Sequence, residues 1–356
     1  MIGDLFRARA AELERAGRSR LYVELMRGAG DDLDAGGIVA TLLDGDPATP
    51  ASVPELRLLA ALHELVLSGG APALARHYPS AGGDASPSGA WAVARTTLAE
   101  HAAFIRERIG RTVQTNEPGR CVALYGGLLA LSERHRLPIR LLEIGASAGL
   151  NLNADRFAYV VGGELLGDAR SPLRFDEPWQ GLPVADVADA AARLAVAERA
   201  GCDMAPIDPS CDDGRLTLQS YVWPDEPARL ARVAQAAQVA ARHPIVIERF
   251  SAAAWLDTQL AQPRPDVLTV VWQSVVNQYL DAGERAAIRS AVARAAAGAL
   301  AWLTLEPPPS IDPSDSFELR CAERPGGDGR GEARLIARAG YHGPPVVWAP
   351  PAPVAR

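Results

Sequence analysis

The chain has 356 residues, 48% of them hydrophobic, and a formal net charge of −7. This length and apolar content allow a sizeable core, in one large domain with an addition or in two domains. All 36 basic residues are arginine, which excludes a pyridoxal phosphate enzyme with a Schiff-base lysine and a P-loop nucleotide-binding protein. No stretch is strongly basic, so we expect no nucleic-acid partner.

Targeting and metal-binding signals are absent from the sequence. The N-terminus lacks the apolar core and cleavage pattern of a signal peptide, and no apolar run approaches the roughly 20 residues that span a bilayer. We therefore expect a cytoplasmic protein with no membrane partner. The four cysteines are scattered and match no zinc pattern, so we expect no metal site.

The first 110 residues are predicted to form a helical domain. The strongest segment is Val53–Ser68, where leucines recur at helical spacing, Pro54 stands near the start and two glycines end the run. We expect His63, within this helix, to be partly exposed and not a ligand. The domain could close over a neighbouring site as a cap, or it could serve only stability or dimerisation. The other predicted helices are Asp4–Ala16, Arg18–Gly28, Ala71–His77 and Gly89–Gly110.

A polar loop, Val113–Arg120, separates these helices from the rest of the chain. Thr115 or Asn116 is a good N-cap for a helix that runs to about His135. The alternative is functional, because Asn116 and Glu117 could then reach a substrate from a loop above a ligand cleft.

An apolar run, Ile139–Ile144, is predicted to be a buried strand, and Glu143-x-Gly145-x-Ser147-x-Gly149 follows at its end. Small residues at the end of a strand let a ligand approach the backbone closely. We expect a helix to begin next and to offer free N–H groups to an anion. Glu143 could accept hydrogen bonds from an amine or a ribose hydroxyl.

This strand and loop resemble the first motif of class I S-adenosylmethionine-dependent methyltransferases, in which an acidic residue precedes a glycine-rich loop. The resemblance implies that S-adenosylmethionine is the cofactor. It implies cofactor contacts at Glu143, Gly145, Ala146, Ser147 and Gly149.

Three other interpretations of the same residues stay open. An NAD fingerprint requires Gly-x-Gly-x-x-Gly, and here Ser147 replaces the middle glycine. Gly-x-Ser-x-Gly is also the nucleophile elbow of hydrolases, in which Ser147 would attack and His342 with Asp312 would complete a triad. The simplest alternative is a tight turn that binds nothing.

Beyond residue 150 predicted strands alternate with helices, a pattern typical of a mostly parallel α/β sheet. Val267–Gln273 is the clearest core strand, with Trp272 expected in the core. A late antiparallel pair would complete a Rossmann-like, seven-stranded methyltransferase-type sheet in a domain from 111 to 356. The other predicted elements are strands at Ala197–Met204, Pro244–Glu248, Leu300–Glu306, Phe317–Glu323 and Ala333–Ala339 and helices at Pro224–Arg242 and Ala282–Ala297.

Over nearly its whole length the chain resembles an uncharacterised bacterial family, domain-of-unknown-function family 2332. The resemblance implies a methyltransferase-type core with an N-terminal helical extension and no established substrate. Relative to the family pattern, an aspartate is missing near Ser251, and a histidine and a tryptophan are missing near Gln273 and Asn277. The segments that carry the resemblance are Gln114–Glu117, Leu141–Leu152, Ser220–Asp225 and Trp272–Leu280.

In open α/β sheets ligands bind at the carboxyl ends of the strands. Asp208 could accept from ribose hydroxyls there, although a turn before Pro209 explains it as well, and Ser251 could lie beside the adenine. Candidates for the acceptor side are Asn116, Glu117, Gln273, Ser274 and Tyr279.

The sequence therefore predicts S-adenosylmethionine-dependent methyl transfer to a small-molecule substrate. One alternative is a serine hydrolase that uses Ser147. Another is a non-catalytic nucleotide-binding or regulatory protein with a degenerate methyltransferase fold. The sequence leaves open whether the chain forms a homodimer.

Overall fold

A computed structural model of the chain describes residues 2–46, 52–296, 298–308, 316–324 and 333–349. No helix within these ranges is both long and apolar enough to cross a membrane. The α-helices are α1 Ile2–Arg15, α2 Arg20–Asp34, α3 Ile38–Leu42, α4 Pro54–Leu67, α5 Pro72–Ala75, α6 Ala90–Glu100, α7 Ala102–Ile109, α8 Cys121–His135, α9 Val187–Arg193, α10 Asp212–Ser220, α11 Pro227–Arg242, α12 Ala252–Gln259 and α13 Ala282–Arg294. The strands are β1 Ile139–Ile144, β2 Ala158–Val161, β3 Glu164–Gly167, β4 Arg174–Asp176, β5 Trp179–Gln180, β6 Val196–Asp203, β7 Ile247–Arg249, β8 Leu268–Ser274, β9 Leu300–Glu306, β10 Phe317–Arg324, β11 Arg334–Gly340 and β12 Gly343–Trp348.

The chain divides into two compact units. The first unit comprises Met1–Thr115 and Cys211–Ala234, and the second comprises Asn116–Ser210 and Gln235–Arg356. Helix α11 therefore begins in the first unit and ends in the second. The sequence predicted one boundary, after residue 110, whereas the first unit takes its last helices from a segment about a hundred residues further along the chain.

Helix α4 lies at the centre of the first unit. The leucine spacing predicted one apolar face, but the helix is buried on nearly all sides, and Glu55, Arg57 and Glu64 are buried with its leucines. The charged groups are paired, because Arg57 donates to Asp46 at 2.7 Å and Arg108 donates to Glu64 at 2.6 Å. A buried charge needs such a partner to offset its lost hydration.

His63 of α4 is fully buried, although the sequence suggested partial exposure. Its Nδ1 lies 3.1 Å from the backbone oxygen of Ser220, and its Nε2 lies 2.7 Å from the hydroxyl of Ser80. Since a carbonyl oxygen only accepts, Nδ1 carries the proton and Nε2 accepts from Ser80. Burial lowers the pKa of His63 to about 4, so the ring is neutral at physiological pH.

We expect His63 to make the first unit unstable in acid. Its pKa is about 4 in the folded state against 6.5 ordinarily, so between these values the unfolded chain binds the extra proton. Stability is therefore complete above pH 6.5 and falls toward pH 4, by about 2 kcal/mol between pH 6.5 and 5. Urea unfolding of the wild-type protein and His63→Gln at several pH values isolates this contribution, because the stability of the wild type relative to the variant should fall by about 2 kcal/mol between pH 6.5 and 5. The stability of the wild type relative to His77→Gln, at a half-buried histidine of the same unit, should not change in this way.

The core of the second unit is a sheet whose order is β5-β12-β11-β10-β9-β8-β1-β6-β7. The five strands from β7 to β9 are parallel neighbours, and numbered by their order along the chain they are arranged 3-2-1-4-5. This is the doubly wound arrangement, in which the chain leaves β1 toward one edge and later crosses to the other. The order reverses between β1 and β8, which makes this pair the switch point.

The described part of the sheet contains nine strands, mostly parallel, where the sequence predicted seven. The difference lies at one edge. Strands β10, β11 and β12 form an antiparallel meander on β9, and β5 pairs parallel to β12 beyond it. A second sheet, β3-β2-β4, was not predicted. Its strands are three or four residues long, too short to produce a periodic signal.

Strands β1 and β8 are buried almost throughout, which explains their continuous apolar sequences. Leu142 and Val271 point to one face of the sheet, where they pack against Trp255 of α12 and Ile288 of α13. Burying each such aliphatic side chain contributes about 2 kcal/mol. Trp272 is fully buried, as the sequence predicted.

The helix that the sequence predicted after the glycine-rich loop is a short 3-10 helix, Asn151–Arg156. Its backbone leaves helical geometry at Asn153, and the chain then enters β2. Asparagine and aspartate side chains compete with helical hydrogen bonds, and this segment contains Asn151, Asn153 and Asp155. A regular helix N-terminus for an anion is therefore not formed here.

Candidate functional site

Two loops meet at the switch point, one after β1 and one after β8. Gly145, the first residue of the β1 loop, is exposed. The side chain of Val276, in the β8 loop, borders it so closely that a Cβ atom on Gly145 would lie 2.6 Å from Val276 Cγ2. Ligands of doubly wound sheets bind at this position, so these two loops define the candidate site.

The glycine-rich loop has left-handed backbone at three positions, with φ of 65° at Gly145, 52° at Ser147 and 67° at Gly149. Only the serine is strained by this conformation. Two N–H groups of the loop are already engaged in backbone hydrogen bonds, since that of Ala146 donates to the Cys202 carbonyl at 3.0 Å and that of Gly149 to the Ala146 carbonyl at 2.7 Å. Gly145 is therefore the accessible part of the loop, whereas Ala146, Ser147 and Gly149 are buried.

Asp203, the last residue of β6, holds the loop in place. One carboxylate oxygen accepts from the Ser147 N–H at 2.9 Å, and the other accepts from the Ala205 N–H at 2.8 Å. Asp203 is not among the site residues that the sequence predicted. The sequence signal for this role is an acidic residue at the carboxyl end of the strand next to β1. The predicted strand ran to Met204, so Asp203 was not recognised as the end of β6.

Glu143 lies in the interior beside Asn151 and Trp272. Glu143 Oε2, Asn151 Oδ1 and Trp272 Nε1 are all buried, and none has a hydrogen-bond partner among the described residues. Burial, reinforced by the charge of Asp203, raises the pKa of Glu143 to about 8, while Asn151 and Trp272 oppose the rise. These three polar side chains are therefore neighbours in the interior beside the glycine-rich loop.

The polar loop before α8 reaches the same region. Asn116 Oδ1 accepts from the Leu150 N–H at 3.0 Å, which joins the polar loop to the end of the glycine-rich loop. Glu117 is buried, caps the following 3-10 helix through the Gly119 N–H at 3.0 Å and lies 3.8 Å from His342 Nδ1. Both side chains therefore have structural roles, and Asn116 lies at the site.

The β8 loop is organised by Glu306, at the end of β9. Its carboxylate accepts from Gln273 Nε2 at 2.8 Å and from the backbone of Val276 at 3.1 Å and Asn277 at 3.3 Å. Burial raises the pKa of Glu306. Val275 has a φ of 57°, which is a genuine outlier for a β-branched residue.

The remaining acceptor candidates differ in accessibility. Gln273 is buried, and its Oε1 has no hydrogen-bond partner among the described residues. Ser274 is half-buried at the end of β8, and Tyr279 is exposed in the 3-10 helix Asn277–Tyr279. Ser274 and Tyr279 are therefore the members of this set that a ligand could contact directly.

Asp208 and Ser251 lie outside the buried polar clusters. Asp208 is exposed, and its Oδ1 accepts from the N–H and the hydroxyl of Ser210 at 2.8 and 2.6 Å, as in a turn. Ser251 precedes α12, and its carbonyl accepts from Trp255 N at 3.0 Å. Two large apolar side chains follow β6 and β7, Met204 at 62% and Phe250 at 49% exposure.

A serine hydrolase would use Ser147, His342 and Asp312 as its triad. Ser147 is buried, with 5% of its surface exposed. His342 lies beside Glu117, as described above, and Asp312 lies outside the described residues. Among the described residues, no group of three or more His, Cys, Asp and Glu side chains comes together in a way that could hold a metal ion.

The fold and the site define an α/β protein with N-terminal helices and a doubly wound parallel core. The chain belongs to the family described as uncharacterized protein conserved in bacteria (DUF2332), whose model matches residues 4–348. No curated protein and no solved structure matches the chain. None of these comparisons connects it with methyltransferases, so that resemblance depends on the sequence motif alone.

Proposed function

We propose that the switch point of the second unit binds S-adenosylmethionine and that the protein transfers its methyl group to a small molecule. The observation that carries the proposal is backbone strain on both sides of the switch point. Ser147 and Val275, one in each loop, have left-handed φ values of 52° and 57°. Such residues cost about 1–3 kcal/mol each and cluster at ligand-binding sites.

The polar groups beside the loop suit a nucleoside amino acid. Glu143 Oε2 and Asn151 Oδ1 are buried without a hydrogen-bond partner among the described residues. At neutral pH the Glu143 carboxyl, whose pKa is about 8, keeps its proton, so the pair offers an O–H donor and an acceptor, which is the complement of a hydroxyl group. Met204 and Phe250 offer exposed apolar surface at the ends of β6 and β7, where an adenine ring could pack. Asp203 is engaged by the backbone, so it would act by holding the loop.

The acceptor side would be formed by the β8 loop, with Ser274 and Tyr279 as the accessible polar groups. When bound, the cofactor supplies an activated methyl group on a sulfonium. The protein then needs only to align the acceptor at near contact and exclude water. Glu306 fixes this loop through Gln273 and Asn277, and we assign it that positioning role.

Calorimetry and thermal unfolding with S-adenosylhomocysteine test the proposal. Ligand at about 100 times Kd should stabilise the protein by about 2.7 kcal/mol. Gly145→Ala should abolish the heat of binding, because its Cβ would crowd the exposed part of the loop. Gly163→Ala, at a left-handed glycine with open space around it, should bind normally. Absence of both heat and stabilisation at millimolar ligand would refute the proposal, and binding without methyl transfer to any acceptor would favour a regulatory protein.

One observation favours a second function, serine hydrolysis. The nucleophile elbow places its serine on a strained turn, and Ser147 in Gly145-x-Ser147-x-Gly149 is strained in this way. A fluorophosphonate probe decides the question. Covalent labelling that Ser147→Ala removes would establish the hydrolase, and an unlabelled wild-type protein would exclude it.

A further inference from the structure

A separate cleft of about 550 Å³ opens at the edge of the large sheet in the second unit. Strand β6 pairs with β7 only from Gly201 onward. Arg199 and Ala200, earlier in β6, therefore line the cleft together with residues 243–246, which precede β7 and are not part of the sheet. The cleft is lined by Arg156, Arg199, Ala200, Arg242, His243, Pro244, Ile245, Val246 and Glu248.

The cleft contains more positive than negative charge, although the whole chain is acidic. Arg199 is neutralised, because it forms an ion pair with Asp155 and also donates to the Leu152 carbonyl. Arg156 instead donates to the neutral amide oxygen of Asn153 at 2.9 Å. Among the described residues, no carboxylate forms an ion pair with Arg156 or with the exposed Arg242.

The basic groups act on one another across the cleft. The pKa of Arg156 is lowered by burial and by the neighbouring charge of Arg199, against the opposing charge of Asp155. The pKa of His243 is lowered by burial and by Arg156, Arg199 and Arg242, against the opposing charge of Asp168. Glu248, the acidic residue of the lining, accepts from Trp255 Nε1 at 2.7 Å. The lining therefore contains three arginines and a histidine against one glutamate.

We propose that this cleft binds a small molecule that carries a phosphate group. Guanidinium groups bind phosphate through paired, charge-assisted hydrogen bonds, and a dianion in this cleft would provide Arg156 and Arg242 with the anionic partner that the described carboxylates do not supply as an ion pair. The volume lies within the range of small-molecule sites and exceeds that of phosphate alone. Ile245 and Val246, the latter 80% exposed, offer apolar surface for the organic part.

The cleft is distinct from the switch point, although Glu248 of its lining lies two residues before Phe250, which borders the proposed adenine surface. Arg199 precedes Asp203, the carboxyl end of β6, by four residues, which corresponds to about 13 Å along a strand. A ligand here would not need the switch point, and either proposal can fail without the other.

Calorimetry with inorganic phosphate and with phenyl phosphate, at constant ionic strength set by sodium chloride, tests the inference. Both should bind, and phenyl phosphate should bind more tightly because of the apolar wall. Arg156→Gln and Arg242→Gln should each weaken both by at least about tenfold. Arg193→Gln removes an equal charge from exposed α9 and should have no effect. Val246→Ser should weaken only phenyl phosphate.

The exposed position of Arg242 keeps the test decisive if Arg156→Gln does not fold. Loss of phosphate binding in Arg242→Gln, with Arg193→Gln unchanged, would support the site. Equal weakening in all three variants would identify a non-specific effect of net charge and overturn the proposal. Absence of phosphate binding by the wild-type protein would overturn it as well.

Discussion

Replacing Glu143 with glutamine is expected to remove a large pH dependence from the stability of the protein. The carboxyl of Glu143 has a pKa of about 8 in the folded state against 4.5 ordinarily. Between these values the unfolded chain releases the proton and the folded chain keeps it, so stability is complete below pH 4.5 and falls as the pH rises to 8. The slope is about 1.4 kcal/mol per pH unit, or about 4 kcal/mol between pH 5 and 8.

Urea unfolding of the wild-type protein and Glu143→Gln across this pH range measures the effect. The amide is neutral at every pH, so the stability difference between the two proteins should widen by about 4 kcal/mol from pH 5 to 8 in favour of the variant. Glu164→Gln, at an exposed glutamate of β3, should follow the wild-type curve. Parallel curves for wild type and Glu143→Gln would show that the carboxyl is not buried in the folded protein.

The variant Gly145→Ala should destabilise the protein by about 3 kcal/mol, as the sum of two costs. The left-handed φ of 65° disfavours any residue with a Cβ by about 1 kcal/mol. The new methyl group would also lie 2.6 Å from Val276 Cγ2, and crowding of this kind costs about 2 kcal/mol. Chemical denaturation measures the total.

Two further variants separate these costs. Gly163→Ala has a φ of 86° and open space around it, so it should lose only the conformational part, about 1 kcal/mol. In a double-mutant cycle Val276→Ala should relieve the crowding and make Gly145→Ala less harmful. Additive effects of the two substitutions would mean that Val276 does not border the glycine in solution.

The parallel core of the second unit could be predicted because its strands are buried on both faces. The apolar runs at β1, β8 and β9 mark them without help from distant residues. The small sheet β3-β2-β4 has no such signal, since its strands are short and partly exposed. A helix was predicted at Asn151–Arg156, but its 3-10 form was not, because the sequence pattern does not reveal where local hydrogen bonds replace those of a regular helix.

For the candidate site, the sequence identified the loops but not the state of their side chains. The small residues from Gly145 to Gly149 indicated a close turn, and Asn116 does lie beside it. The burial of Glu143 depends on Asn151 and on Trp272 of a neighbouring strand, a contact between residues more than a hundred positions apart. The arginines of the proposed phosphate cleft are also far apart in the sequence, so no basic stretch indicates the cleft.

The first unit is built from two separate segments of the chain, so it cannot complete its fold during translation until the second segment has been synthesised. Helix α4 leaves the exit tunnel long before Ser220, whose carbonyl binds His63, and before Trp223, whose ring lies 6.1 Å from that of Tyr22. The nascent N-terminal helices must therefore wait, with apolar surface uncovered, while most of the parallel strands are still untranslated. Chaperone demand during translation should peak in this interval, and a slow codon placed before residue 234 should lengthen it.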